Sequence, residues 1–262
     1  MTKPVSSNVS GQYENSIPLD TRINFHERFS TNKYPWHRWV FDHFDFSDNA
    51  RILELGSGVG KLWTENAERI NPNWEITLSD FSEGMLASTQ TNLAKLKRNF
   101  HFQHFSAEEI PNGHILFDAV IANHMLYHTD LDVAIPEIRR VLRPGGTLYA
   151  STNGKGHLKG IDELIVAFRG GDPPIQGIFD NFSLDNAADL ISSHFSRFEK
   201  INQENALQVD DGLSLAQFCM SLSNANIPEG RQAEFSDFVM GFFKRQGHEL
   251  LIEKNSGLIV AS

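Results

Sequence analysis

Short apolar runs, each broken by glycine or a polar residue, recur through the middle of this chain. The first, Ile52-Leu53-Glu54-Leu55, ends in Gly56-Ser57-Gly58-Val59-Gly60, with three glycines at alternate positions. That pattern predicts a buried parallel strand breaking into a tight turn that opens onto a helix N-terminus. Further strands are expected over Trp74–Ser79, ending at Asp80, then Phe100–Phe105 and Phe117–Asn123. An amphipathic helix follows from Asp132 to Leu142. Arg143-Pro144-Gly145-Gly146 stops it and feeds a fifth strand, Thr147–Ser151. Two later candidate strands, Arg197–Val209 and Leu250–Ala261, flank a helical pattern across 212–247 that carries Phe218, Phe235, Phe238, Phe242 and Phe243.

The glycine turn is the first candidate for chemistry. Glycine there allows backbone angles closed to other residues and lets a ligand approach the main chain. A dinucleotide fingerprint has Lys61 where its third glycine belongs, and a P-loop alignment fails at Leu55 and Leu62. Asp80, about twenty residues on at a strand's carboxyl end, is placed to accept the ribose hydroxyls of a nucleoside. Asp80 or Ser82 also suits the cap of a helix starting near Glu83. Phe81 is positioned to cover an adenine face or to join the core.

Glu54 with Gly56-x-Gly58-x-Gly60, and Asp80-Phe81-Ser82-Glu83-Gly84-Met85-Leu86, resemble motif I and the next motif of the class I S-adenosylmethionine-dependent methyltransferases, small-molecule type. The likeness spans roughly residues 50 to 153 in four ordered motifs. It implies an α/β, Rossmann-like, doubly wound sheet of seven strands, mostly parallel with one antiparallel strand, plus a helical cap. It also implies S-adenosylmethionine as cofactor, contacted by Glu54, Gly56, Ser57, Gly58, Gly60, Asp80, Phe81, Met85, Ser106, Ala107, Glu108 and Asn123. Ser106 departs from the family's usual aspartate, so Ser106 or Glu108 is left to meet the adenine edge. After the fourth strand, Asn123-His124-Met125-Leu126 lacks the Pro-Pro-aromatic element of base-amino methyltransferases. Strand ends at Asn123 and Ser151-Thr152-Asn153 lack the acidic residues of metal-dependent catechol enzymes, so no metal is expected.

Asn123, His124 and Tyr127 are the catalytic candidates, with His124 serving as a base or a hydrogen-bonding group. In-line positioning supplies much of the catalysis for an activated sulfonium methyl. Two other readings stay open: an enzyme that consumes the cofactor and releases methylthioadenosine, and a non-catalytic binder. His124 and His128 stand four apart, as helix neighbours and some metal ligands do, and His101 and His104 form a similar pair.

The organisation expected is an N-terminal lid segment over 1–45, a cofactor-binding core over 46–153, a substrate loop over 154–195, and the last two strands with a cap insertion over 196–262. Tyr34 and Trp36, beside Pro35, and His128 are the lid or substrate candidates. A net charge of -10 disfavours a polyanionic partner. The basic run Lys95–Arg98 is expected late in a helix, where cations suit the dipole. Apolar and charged contents of 40% and 21% are ordinary for a globular chain. No apolar run approaches membrane-spanning length and Met1–Asp20 is polar. Cys219 alone excludes an internal disulfide. The expectation is a cytoplasmic monomer or homodimer acting on a small molecule.

Overall fold

Seven strands form one sheet in the computed structural model, which describes residues 16–111, 116–222 and 224–262. They are β1 (Arg51–Leu55), β2 (Glu75–Asp80), β3 (Phe100–His104), β4 (Phe117–Asn123), β5 (Leu142–Asn153), β6 (Phe198–Val209) and β7 (Leu250–Ala261). The order is β3-β2-β1-β4-β5-β7-β6, and β7 alone runs antiparallel to its neighbours. The chain winds outward from β1 to β3, then returns and winds the other way from β4. That reversal opens a crevice at the carboxyl ends of β1 and β4. The first fifteen residues of the expected lid segment lie outside the described residues.

The central strands are apolar on both faces because helices cover both. Leu53, Leu55, Val120, Ala122, Leu148 and Ala150 point to one side, against α5 (Leu131–Val141). That helix buries Leu131, Ala134, Ile135, Ile138 and Val141, one stripe at helical spacing, and Asp130 caps it by accepting from the Asp132 N–H at 3.1 Å. Full burial of each large aliphatic side chain contributes roughly 1.5–3 kcal/mol. Ile52, Ile76, Leu78, Ile121 and Tyr149 point to the other side, against α2 (Trp36–Asp42) and Trp63 of α3 (Lys61–Thr64).

Two local expectations are corrected. The fifth strand begins at Leu142 rather than Thr147, directly after the helix, because Leu142 pairs with Phe117 and a bulge before Ala119 absorbs the Pro-Gly-Gly segment. The basic run does not sit in an α-helix: α4 (Glu83–Leu93) passes into a 3₁₀ turn at Ala94–Leu96, and Lys97 turns left-handed.

β6 and β7 pair over all twelve residues, from Phe198↔Ala261 to Val209↔Leu250, whereas β5 reaches only to Asn153↔Ser256. Beyond that point β6 and β7 continue as a two-stranded ribbon. A separate apolar cluster forms around it from α1 (Ser16–Phe29), α6 (Lys159–Arg169), α8 (Gly212–Ser221) and α9 (Gln232–Arg245). Phe25 of α1 stacks on Phe218 of α8 at 4.3 Å, and Ser30 bridges to Leu207. Cys219 is buried in this cluster and burial pushes its thiol far up, so it is packing material.

Candidate active site

The turn after β1 is built from glycine conformations that L-residues rarely adopt: Gly56, Gly58 and Gly60 have φ of +67°, +58° and +76°. Side chains from α4 staple it. Thr89 Oγ1 donates to the Gly58 carbonyl at 2.6 Å, and Asn92 Nδ2 donates to that of Val59 at 2.9 Å. Ser57 is buried, and its N–H donates to the Ser79 carbonyl. A Cβ on Gly60 would meet Thr89 Cγ2 at 3.1 Å, and one on Gly56 would meet Met125 at 2.9 Å. At Gly58 a Cβ would meet nothing within 4 Å. The turn is therefore packed on its protein sides and open at Gly58.

Asp80 faces that opening. Its carboxylate accepts from the Gly58 N–H at 2.9 Å and from the Ser82 N–H at 2.8 Å, which fix its orientation before any ligand arrives. Burial raises its pKa against these two stabilising bonds. Ser82, not Asp80, caps α4 by accepting from the Met85 N–H, which leaves the Asp80 carboxylate outside the cap. Phe81, 60% exposed, presents a ring to solvent beside them.

Glu54 is 2% exposed, and its Oε2 accepts from the Trp63 indole N–H at 2.6 Å. Burial is the main cause that pushes its pKa up to about 8; the Trp63 bond opposes and Asp80 adds to it. Sequence reading did not single out Trp63; the tie to Glu54 spans nine residues across a strand–turn–helix unit. In the third loop, Ala107 is buried, Ser106 Oγ accepts from the Glu108 N–H, and Glu108 Oε1 accepts from the Asp130 N–H at 2.9 Å. Glu108 is thus already used to hold the start of α5.

At the end of β4, Asn123 Oδ1 accepts from the Trp36 indole at 3.3 Å and from Ser151 Oγ. The next residue, His124, turns left-handed at φ +53°, and its N–H is shared between the Ser151 carbonyl and Oγ at 3.1 and 3.0 Å. This carries its ring to 5.1 Å from that of Trp36. Burial, with His37 and Lys254 nearby, lowers the His124 pKa to about 3. A helix holding His124 and His128 on one face does not form: the backbone reversal at His124 leaves only a 3₁₀ turn over Leu126–His128. His101 and His104 alternate along β3 rather than facing each other. Among the described residues no group of three His, Cys, Asp or Glu is arranged to hold a metal.

Tyr34, Trp36, His124 and Tyr127 meet on one cavity of about 1090 Å³. His128 is not in its lining but packs edge-on against Tyr127, with ring centroids 4.5 Å apart. The opposite wall comes from His26 of α1, Ser30 just after it, and three residues that sequence reading missed: Gln203 and Asn205 on β6 and Lys254 on β7. Met125, next to His124, packs on Gly56, so this cavity adjoins the glycine turn.

Known proteins resemble this chain in sequence and in fold. The family described as "Methyltransferase domain" matches residues 52–146. A curated relative, the ubiquinone/menaquinone biosynthesis C-methyltransferase UbiE of Vibrio parahaemolyticus, is 29% identical over 136 residues, 51% of this chain and 52% of its own length. The chain spans about half the length of the curated relatives it matches. Among solved structures, the YcgJ protein of Bacillus subtilis is 17% identical with a TM-score of 0.58, covering 86% of this chain and 96% of its own. A Haemonchus contortus phosphoethanolamine N-methyltransferase 2, solved with phosphomonomethylethanolamine and S-adenosylhomocysteine, gives 17% identity and a TM-score of 0.54, covering 92% and 57%. The two structures share the fold.

Proposed function

We propose that the chain, whose residues 52–146 match the family described as "Methyltransferase domain", is a class I S-adenosylmethionine-dependent methyltransferase that transfers the cofactor's methyl group in line to a small-molecule acceptor held in the aromatic-walled cavity. The observation that carries this reading is the opening at Gly58 facing a preoriented Asp80. A ligand can meet bare backbone there while the Asp80 carboxylate, already fixed by two N–H groups, keeps lone pairs for ribose hydroxyls.

When bound, S-adenosylmethionine supplies an electrophilic methyl on a good leaving group. The chain's part is placement. Gly56, Ser57, Gly58 and Gly60 shape the floor, with Phe81 and Met85 flanking the nucleoside end and Ser106, Ala107 and Glu108 bounding the base. Glu54 lies beneath the turn as a buried acceptor for the cofactor's ammonium. Asn123, held by Trp36 and Ser151, and Tyr127 border the path between cofactor and acceptor. His124, neutral with its pKa near 3, orients the acceptor by hydrogen bonding and is a poor proton acceptor. Holding the reacting atoms in line is then the main source of rate. The C-methylation in the name of the UbiE relatives supports methyl transfer, while their similarity, centred on the cofactor core, leaves the acceptor to this chain's own cavity.

We read the protein as a cytoplasmic monomer or homodimer without a nucleic-acid partner, on its charge of -10 and its single buried cysteine. Among the described residues no helix is long and apolar enough to cross a membrane. The test is incubation with S-adenosylmethionine alone, with the nucleosides identified by mass spectrometry. Cofactor bound and recovered intact is the expected result, and S-adenosylhomocysteine should appear once an acceptor is supplied. Methylthioadenosine formed without acceptor, or no binding at all, overturns the reading.

A further inference from the structure

The buried polar atoms left without a partner among the described residues are His26 Nδ1, Gln203 Nε2 and Glu65 Oε2, and all three residues line the same cavity. Gln203 is 5% exposed, so its NH₂ is a donor removed from bulk water with nothing to meet. Lys254 stands beside it. No carboxylate lies within ion-pair distance of its ammonium among the described residues, and its one hydrogen bond there is a 3.5 Å contact to Ser30 Oγ. Burial lowers its pKa to about 8, and its charge in turn pushes down His26, His124 and His157.

Strand register explains how these groups converge. Asn123 pairs with Ser151, Asn153 with Ser256, Ser256 with Gln203, and Lys254 with Asn205. Partners in register and residues two apart share a sheet face, so these seven polar residues form one stripe on a single face. Ser256 closes its middle, donating to Asn153 Oδ1 at 2.6 Å. From β4 to β7 is two strand spacings, about 10 Å, and Lys254 lies about 13 Å further along β7 than Leu258, the residue level with Ser151 and Asn123. The cavity carries charges of both signs, with Lys61 and Arg38 beside Glu65 and Glu68 towards α3 and Glu27 on α1. Its carboxylates on the α3 side are engaged, Glu68 with Arg38 and Glu65 with His37, and the remaining open atom there, Glu65 Oε2, is an acceptor. Its β6–β7 wall offers donors.

We propose that Lys254, Gln203 and His26 form the seat for a carboxylate on the acceptor. The Lys254 ammonium and the Gln203 NH₂ donate to its two oxygens. The methyl-accepting atom then stands at the other end of the stripe, beside Trp36 and His124 at the end of β4. Buried donors that cost stability when unpaired are satisfied only when such a ligand binds. Selection for an anionic small molecule in a chain of net charge -10 follows from this local cation rather than from the overall field. The proposal rests on the methyltransferase reading for the identity of the ligand as acceptor, but its binding chemistry stands apart from the cofactor.

The test uses benzoate, phenylacetate, 3-phenylpropionate and hexanoate, each against its own carboxamide, titrated calorimetrically into protein saturated with S-adenosylhomocysteine. At least one acid should bind about tenfold or more tightly than its amide in the wild type. That preference should vanish in Lys254→Met, weaken in Gln203→Leu and persist in Lys254→Arg, with S-adenosylhomocysteine affinity and thermal midpoint preserved. No binding by any acid, equal binding of acid and amide, or a preference that survives Lys254→Met overturns the proposal. Failure of S-adenosylhomocysteine to bind would instead sink the methyltransferase reading, and the acid–amide comparison is then made on the ligand-free protein.

Discussion

Replacing Glu54 with glutamine should change how stability depends on pH. The carboxyl is fully buried, and its pKa rises from 4.5 to about 8. Between those values the unfolded chain has released its proton while the folded protein keeps it. Stability from this group is therefore complete below 4.5 and is lost as pH climbs through about 8. At about 1.4 kcal/mol per pH decade, the full interval sets a ceiling of ~5 kcal/mol, of which a few kcal/mol should be seen after relaxation. Glutamine keeps an oxygen for the Trp63 indole and removes the titration. His26 and His124, held near 3, act in the opposite direction, since their stability rises as pH climbs towards the ordinary histidine value. The quantity to read is thus the difference between wild type and Glu54→Gln in urea denaturation at intervals from about pH 5 to 9. The variant should gain on the wild type steadily above about pH 5. Parallel curves would refute the buried, protonated Glu54. The same argument reaches the ligand: an ammonium placed beside Glu54 restores the carboxylate, so cofactor binding near pH 7 should release up to about one proton, read by calorimetry in buffers of different ionisation enthalpy.

Two further substitutions probe the turn. Asp80→Ala should weaken S-adenosylmethionine binding by about 1–3 kcal/mol, measured by calorimetry; an unchanged dissociation constant removes the ribose assignment. Gly58→Val should cost about 1–2 kcal/mol of stability, because φ is +58° there. It should abolish cofactor binding by filling the open face of the turn, and a folded variant that binds normally would make the turn purely structural.

The parallel core was legible because its strands are buried on both faces and read as near-continuous apolar runs, ending in glycine at Gly56 or in Asp80 and Asn123. Position along such a run fixes which residues reach the crevice, and the motif resemblance covers that region. The β6–β7 wall of the cavity was illegible for the complementary reason. His26, Gln203 and Lys254 come from α1, β6 and β7; strand register brings the last two together across a long insertion, and packing of α1 on the ribbon adds His26 from the far end of the chain. None sits in a spacing that suggests a site, and each alone reads as an ordinary polar residue. His124 shows a subtler limit: an i,i+4 histidine pair implies a shared helix face only if the backbone stays helical, and here the chain leaves β4 through a left-handed residue.

β7 belongs to two bodies at once. Its second half is zipped to β5 inside the main sheet, and its first half, with β6, forms the spine around which α1, α6, α8 and α9 condense. A roof joined to its base by unbroken strands cannot swing as a door does; it can only flex by twisting the ribbon, which strains ladder hydrogen bonds along its length. The strap between α1 and α2 is tied to the same ribbon, Ser30, Thr31 and Asn32 all bonding to β6, so only Lys33–Pro35 is left outside the ladder. For protein engineering this means that roofs of different selectivity are exchanged by cutting both strands at matched positions, Asn202 and Gly257, where the ladder stays in phase.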